Sequence, residues 1–333
     1  MSLLCYAENP GGANGIITLA MENSNVVICA DGSAVKYIQD HGCLISEHIP
    51  DNVTSLVIGT AHGPDSIAFE YITWAREKNI PSFGYVDACV NTDNRFRGHT
   101  DNPLHYAPDF LFVTEDATVK AFADLGFDSS KIFKVGNPRY DFVEIRAKTL
   151  TKEKRDKKSL LFLADPVEPC VGDDYMNSGF DCTSAHDVRS YVLLDCILSH
   201  VDDIDITIKL HPRNISVDFQ KYTEKCSVYD GRALGIDLAF QADIVIGTTT
   251  SLLAESSIIG VPTIAALLTE RERWWLPHIL PDNLIISHDK VHMKNAIDTI
   301  LEGPPPYSMP TNKNTLCQNS GRKMWDIIQN HSL

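Results

Sequence analysis

ADIVIGTTTSLLAESSIIGVPTIAA, residues 242–266, holds the pattern that decides the fold. Ile244–Ile246 is a short apolar β-branched run of strand length, and Leu252–Ile259 is an apolar helix-length stretch. Gly260 then turns the chain into a second apolar run from Thr263. Strand, helix, strand in this order is the unit of a parallel sheet covered by helices. Between strand and helix stand Gly247, Thr248, Thr249, Thr250 and Ser251. A helix start gathers free backbone N–H groups and the positive end of the helix dipole, so such a turn suits an anion. One hydroxyl suffices for an N-cap. Four in succession point to a phosphate site, with Glu255 one turn further on as a candidate ribose contact or a solvent-facing residue.

The same alternation extends in both directions. Upstream of residue 150, SLLCYA, NVVICA, SLVIGTA, PSFGYVD, DFLFVTE and IFKVGN read as strands separated by helical or loop segments. KTLTKEKRDKK, residues 148–158, is charged and has no apolar face, which marks a linker. SLLFLAD, DITIKLHP, ADIVIGTTT, PTIAALL and NLIIS then restart the pattern. The expectation is an α/β chain of two facing Rossmann-like domains with parallel sheets and a cleft between them. Residues 1–150 form an acceptor domain and 151–315 a nucleotide-donor domain, and 316–333 form a helix that packs back on the first. PVEPCVGDDYMNSGFDCT, residues 166–183, is a long polar loop directly after a strand end, where ligands bind in such sheets.

Bulk properties narrow the classes. The 333 residues carry 29 Lys and Arg against 44 Asp and Glu, a formal charge of -15, which argues against a broad grip on nucleic acid. No apolar run approaches the length of a membrane-spanning helix, and the first residues lack the form of a secretory signal. A cytoplasmic protein, at most peripheral to a membrane, is expected. The nine cysteines have no framework or metal spacing and read as reduced core residues. Neither a metal nor another cofactor is expected, and the oligomeric state is left open.

TIKLHPRN, residues 207–214, runs a strand into His211 and Pro212. Proline ends the strand and leaves the histidine at the carboxyl edge, with Lys209 and Arg213 nearby. His211 is a candidate phosphate donor or leaving-group acid. In ENPGGANGI, residues 8–16, Gly11 and Gly12 follow the first strand and allow close approach of backbone to a substrate. Asp87 ends the strand before VDACVNTDNRFRG, and Arg95 and Arg97 in that loop are candidate ligands for an acceptor carboxylate or phosphate. Asp87, Glu8 and His62 each end a strand and compete for the role of general base. Trp274 and Trp275 are adjacent, so both cannot point inward from one regular helix; one stacks on a base or an acceptor sugar, or they pack between the domains.

KLHP followed by GTTTSLLAE resembles the C-terminal half of GT-B glycosyltransferases that use cytidine-nucleotide donors. These are the polysialyltransferase-like and Kdo-transferase capsule enzymes and the CDP-glycerol glycerophosphotransferases. The resemblance implies that His211, Pro212, Thr248, Thr249, Thr250 and Ser251 engage the donor phosphate. ENPGGANGI, VDACVNTDNRFRG and KVGNPRYD resemble surface-carbohydrate biosynthesis proteins. The expected activity is an inverting, metal-independent glycosyltransferase that moves a nonulosonate or Kdo from a CMP-sugar, or glycerol phosphate from CDP-glycerol, to a surface-glycan acceptor. The alternatives are a nucleotide-sugar 2-epimerase or hydrolase of the same fold, or a non-catalytic nucleotide-sugar-binding protein.

Overall fold

Alternating apolar strands and amphipathic helices build two parallel sheets. The structure, a computed structural model, describes residues 2–332 except 62, 171–172, 177, 185, 232, 278, 304–309 and 313–315. The chain divides into unit 1, Met1–Phe142 with Cys317–Leu333, and unit 2, Val143–Leu316.

Unit 1 contains β1 (Ser2–Ala7), α1 (Pro10–Glu22), β2 (Val26–Ala30), α2 (Gly32–Asp40), β3 (Val53–Gly59), α3 (Ala68–Glu77), β4 (Ser82–Val86), β5 (Phe110–Val113), α4 (Asp116–Asp124) and β6 (Ile132–Lys134). Its strands lie in the order β2-β1-β3-β4-β5-β6, all parallel. A strand's side chains alternate between faces, and here both faces are buried. Leu3, Cys5 and Ala7 of β1 join one core with Ile16 of α1; Leu4 and Tyr6 join the other with Ile72 of α3 and Phe122 of α4. Burying each such Leu, Ile or Phe stabilises the unit by roughly 1.5–3 kcal/mol.

α5 (Pro138–Ala147) carries the chain out of unit 1. Unit 2 then contains β7 (Ser159–Leu163), α6 (Asp173–Met176), α7 (Arg189–Leu198), β8 (Asp205–Lys209), β9 (Cys226–Tyr229), α8 (Gly235–Gln241), β10 (Ile244–Gly247), α9 (Ser251–Ile258), β11 (Thr263–Ala266), β12 (Leu284–Ser287) and α10 (Lys290–Glu302). Its parallel order is β12-β11-β10-β7-β8-β9. Leu160, Phe162, Ile206, Ile208, Ile244 and Ile246 share one core with Leu193 of α7 and Ile297 of α10.

From the polar stretch after β7, Cys170, Phe180 and Cys182 enter that core, and Pro169 and Val188 form an isolated bridge. α7 begins at Arg189.

α11 (Ser320–His331) belongs to unit 1, where Met324 and Ile328 lie in the core that contains Ile16. The Asp141 carboxylate accepts hydrogen bonds from the Asn319 and Ser320 N–H groups at 3.1 and 2.6 Å. Negative charge at a helix start is stabilising, so Asp141 fixes where α11 begins. Among the described residues no helix is long and apolar enough to cross a membrane.

Candidate functional site

In unit 2 the chain passes from β7 to β8 and β9 on one side, then returns to β10 on the other side of β7. The loops leaving β7 and β10 therefore diverge and open a crevice at the carboxyl ends of the strands. Three neighbouring strand ends supply its residues: Thr248–Ser251 after β10, Asp165 after β7, and His211 after β8.

The four predicted hydroxyls divide their work. Thr248 is buried and donates its hydroxyl to the Asp165 carboxylate. Thr250 is the N-cap of α9 and its Oγ1 accepts from the Leu252 N–H at 3.4 Å. Thr249 is half-buried and Ser251 exposed, and neither hydroxyl makes a hydrogen bond among the described residues. Those two, with the N–H groups of the first turn of α9, are the candidate donors to an anion at this helix start. Glu255 is buried, and its charge acts on Lys209 at the end of β8. Burial holds the Lys209 ammonium below its usual pKa, and Glu255 opposes that effect.

His211 is half-buried and Pro212 beside it is exposed. Burial and then the adjacent Arg213 charge push the imidazole below its ordinary pKa of 6.5. The ring is therefore neutral at pH 7. Its Nδ1 accepts from the Arg213 N–H at 3.1 Å, which leaves the proton on Nε2. His211 is thus built as a neutral hydrogen-bond donor more than as a leaving-group acid. Asn214 ties this turn to the β7 loop: its amide donates to the Asp165 carbonyl at 2.8 Å and its Oδ1 accepts from the Val167 N–H at 3.1 Å.

Behind the crevice lies a charged group that sequence reading did not select. Arg189 at the start of α7 contacts Asp165 at 3.2 Å and Glu272 at 3.0 Å. Glu272 also accepts from Tyr175 Oη at 3.2 Å and from the Leu268 N–H at 2.6 Å. Burial works against the Arg189 charge, yet the two carboxylates outweigh it and raise the Arg189 pKa. Trp275 lies over the guanidinium, 5.1 Å from ring centre to Arg189 Cζ, and remains 57% exposed. Two of these residues had a readable signal. Asp165 is a charge at the very end of SLLFLA, and Thr269-x-x-Glu272 is a capping box. Arg189 had none.

Unit 1 repeats the plan at β1, β3 and β4. Asn9 caps α1, accepting from the Gly12 N–H at 2.8 Å, and Pro10 occupies the first helical turn. Gly11 makes room for Asp87: a Cβ there would lie 3.0 Å from the Asp87 Cγ, and closer still to its Oδ2. The protein's own carboxylate thus sits against the helix start that the Gly11–Gly12 turn was expected to offer a substrate. Gly12 packs on Gly59, the last residue of β3.

Arg95 is only 4% exposed and holds Asp87 in place. Its Nη1 donates to Asp87 Oδ1 and Thr60 Oγ1, each at 2.9 Å, its Nη2 to the Ala88 carbonyl at 3.0 Å, and its Nε to the Val90 carbonyl at 3.3 Å. All of these partners belong to the protein, so Arg95 fixes the carboxylate where acceptor binding was expected of it. Arg97 lies outside this group and pairs with Asp93 at 3.8 Å. Glu8 accepts from the Ser66 hydroxyl. His62 lies outside the described residues.

No family model matches the chain, and no curated protein matches it in sequence. Its fold is that of solved GT-B-like epimerases. The UDP-GlcNAc 2-epimerase from Methanocaldococcus jannaschii is similar at a TM-score of 0.64 and 15% identity, covering 99% of this chain and 100% of that one. That epimerase in complex with UDP-GlcNAc and UDP gives 0.56 and 13% over 99% and 100%. The Neisseria meningitidis enzyme bound to UDP-GlcNAc gives 0.66 and 12% over 99% and 100%. This corrects the expectation of a glycosyltransferase, because these similar solved structures are UDP-GlcNAc 2-epimerases.

Proposed function

We propose that the protein acts on a uridine-diphosphate sugar, as a nucleotide-sugar 2-epimerase or as a hydrolase of the same substrate. The observation that supports this most is the β10–α9 turn of unit 2. There Thr249, Ser251 and the α9 N–H groups stand at the topological switch point, with the neutral Nε2–H of His211 two strand ends away. Such a set recognises a diphosphate, and solved structures of this fold hold UDP and UDP-GlcNAc.

Both activities begin with departure of the diphosphate from C1 of the sugar. Negative charge then grows on the leaving oxygens, and donors already oriented toward them stabilise it without reorganisation. His211, Thr249 and Ser251 carry that role. Inversion at C2 additionally needs a base that removes the C2 proton as the C1–O bond breaks, leaving a C1=C2 double bond. A solvent-derived proton then adds on the opposite face of C2 as the diphosphate re-adds at C1. Asp87, held by Arg95, is the candidate base for the first step. In the hydrolase reading the same carboxylate orients a water molecule.

The test is incubation of the protein with UDP-GlcNAc in D2O, followed by proton NMR. The expected result is a C2-epimeric product with deuterium at C2, or release of UDP and free sugar. Asp87→Asn should abolish either outcome while UDP binding persists. Recovery of unchanged UDP-GlcNAc, together with selective stabilisation by CMP or CDP over UDP in a thermal-shift assay, would overturn the proposal.

A further inference from the structure

The charged group behind the phosphate turn has an imbalance. Asp165 and Glu272 are both buried, Glu272 completely, and Arg189 is the cation that contacts both. Two carboxylates against one guanidinium leave net negative charge directly behind a turn that is to receive a diphosphate. Buried charges are weakly screened, so this field reaches the crevice. Arg189 also sets the local geometry, because Asp165 Oδ2 is shared between Arg189 Nη2 and the Thr248 hydroxyl. The guanidinium is pinned from three directions: by Asp165, by Glu272 and by the indole of Trp275. A cation so thoroughly tied cannot swing out to grasp a ligand.

We propose that Arg189 is the positioning residue of the nucleotide site. It offsets one of the two carboxylate charges beside the Thr248–Ser251 turn and holds Asp165 against Thr248, so that the turn accepts a diphosphate without Arg189 touching it. This deepens the nucleotide reading and rests on it.

The role makes a charge-specific forecast that a packing role would not. Arg189→Gln keeps a donor and much of the volume but leaves both carboxylates uncompensated. Adding Asp165→Asn to it removes one of those charges and retains an oxygen that accepts from Thr248. Binding of UDP and of uridine, a neutral probe of the same base and ribose, is measured for wild type, Arg189→Lys, Arg189→Gln and Arg189→Gln/Asp165→Asn. Far-UV circular dichroism selects the folded variants.

UDP affinity should fall about 30-fold in Arg189→Gln, stay within a few fold of wild type in Arg189→Lys, and recover at least half of the loss, on a logarithmic scale, in the double variant. Uridine affinity should stay level across the set. Parallel losses for UDP and uridine, unchanged UDP affinity in Arg189→Gln, or no recovery in the double variant would overturn the proposal. If Arg189→Gln does not fold, the double variant decides it: UDP affinity within about sixfold of wild type with level uridine affinity supports the proposal, and a larger or parallel loss overturns it. Failure of the wild type to bind UDP at all would sink the nucleotide reading beneath it, a different and separately visible result.

Discussion

Gly59→Ala tests a close backbone approach in unit 1, and its cost follows from the geometry. A Cβ on Gly59 would lie 2.5 Å from the Gly12 carbonyl carbon and 2.6 Å from Gly12 Cα. Ordinary van der Waals contact begins near 3.4 Å, so the first turn of α1 must retreat by about 0.9 Å. Both sides of the clash are backbone, one at a strand end and one in a helix, so no side chain can rotate away. A gap of that size forfeits roughly a quarter to a half of each dispersion contact that lines it. α1 rests on the sheet through Ala13, Ile16, Ile17 and Leu19, all buried. Overpacking of this kind costs about 3 kcal/mol, which corresponds to a fall in Tm of about 6–12 °C for a unit of this size.

The assay is thermal and urea unfolding of Gly59→Ala beside two controls. Gly63→Ala meets nothing within 4 Å and should be neutral. Gly42→Ala also meets nothing, but its φ of +79° lies in the left-handed region, so about 1 kcal/mol is expected from backbone strain alone. If Gly59→Ala melts within the range of Gly42→Ala, the close approach of α1 to β3 is not the constraint argued here.

Three further residues carry expected outcomes. Diphosphate beside His211 raises the depressed pKa of the imidazole, so binding takes up a proton. The UDP affinity of wild type relative to His211→Gln should therefore grow as pH falls from about 8 to about 6, and calorimetry in two buffers should show the uptake. The same depressed pKa means that the unfolded chain binds the proton more readily, so His211 lowers stability as pH falls below 6.5. That trend should be shallower in the His211→Gln melting curves. Arg95→Leu leaves Asp87, Thr60 and two carbonyls without their donor and should cost about 3–5 kcal/mol by urea unfolding, with Arg95→Lys in between. Burial pushes the Cys170 thiol from 9.0 up to about 12. It should resist thiol reagents at pH 8 until the protein unfolds, and its contribution to stability should be complete below pH 9 and decline as pH rises above it.

The parts of the fold legible in the sequence were those dictated by neighbouring residues. Ile244–Gly247 followed by Thr248–Ser251 announced a buried strand and a helix start, because period and capping act over a few positions. His211 was placed correctly at a strand end, since Pro212 cannot continue the ladder. Contacts that close over long stretches of chain were silent. Nothing around Gly12 announces Gly59, and nothing in the first turn of α7 announces that Arg189 meets Asp165 and Glu272. Asp87 and Arg95 lie in between: both were selected, but the arginine was given to a substrate when its partners are the carboxylate and carbonyls of its own loop.

The exchange of transferase for epimerase has the same origin. A histidine at one strand end and hydroxyls at a helix start suit a phosphate group, and every enzyme that spends a nucleotide sugar, whether CMP-linked or UDP-linked, must recognise one. The motif is strong because the shared chemistry is strong. It carries no information on whether the sugar leaves for an acceptor hydroxyl, for water or for its own C2 epimer, because those fates differ at the anomeric and neighbouring carbons. Under the proposed function the choice falls to Asp87, whose orientation is set by Arg95 and by the room that Gly11 leaves for its Oδ2. Gly11→Ala is therefore the substitution that separates the two halves of the chemistry. The added methyl displaces the Asp87 carboxylate while leaving the unit 2 turn intact, so turnover of UDP-GlcNAc should drop by at least about tenfold while the UDP affinity is retained. Equal losses in both would show that the carboxylate at the α1 start serves nucleotide binding and not the sugar chemistry.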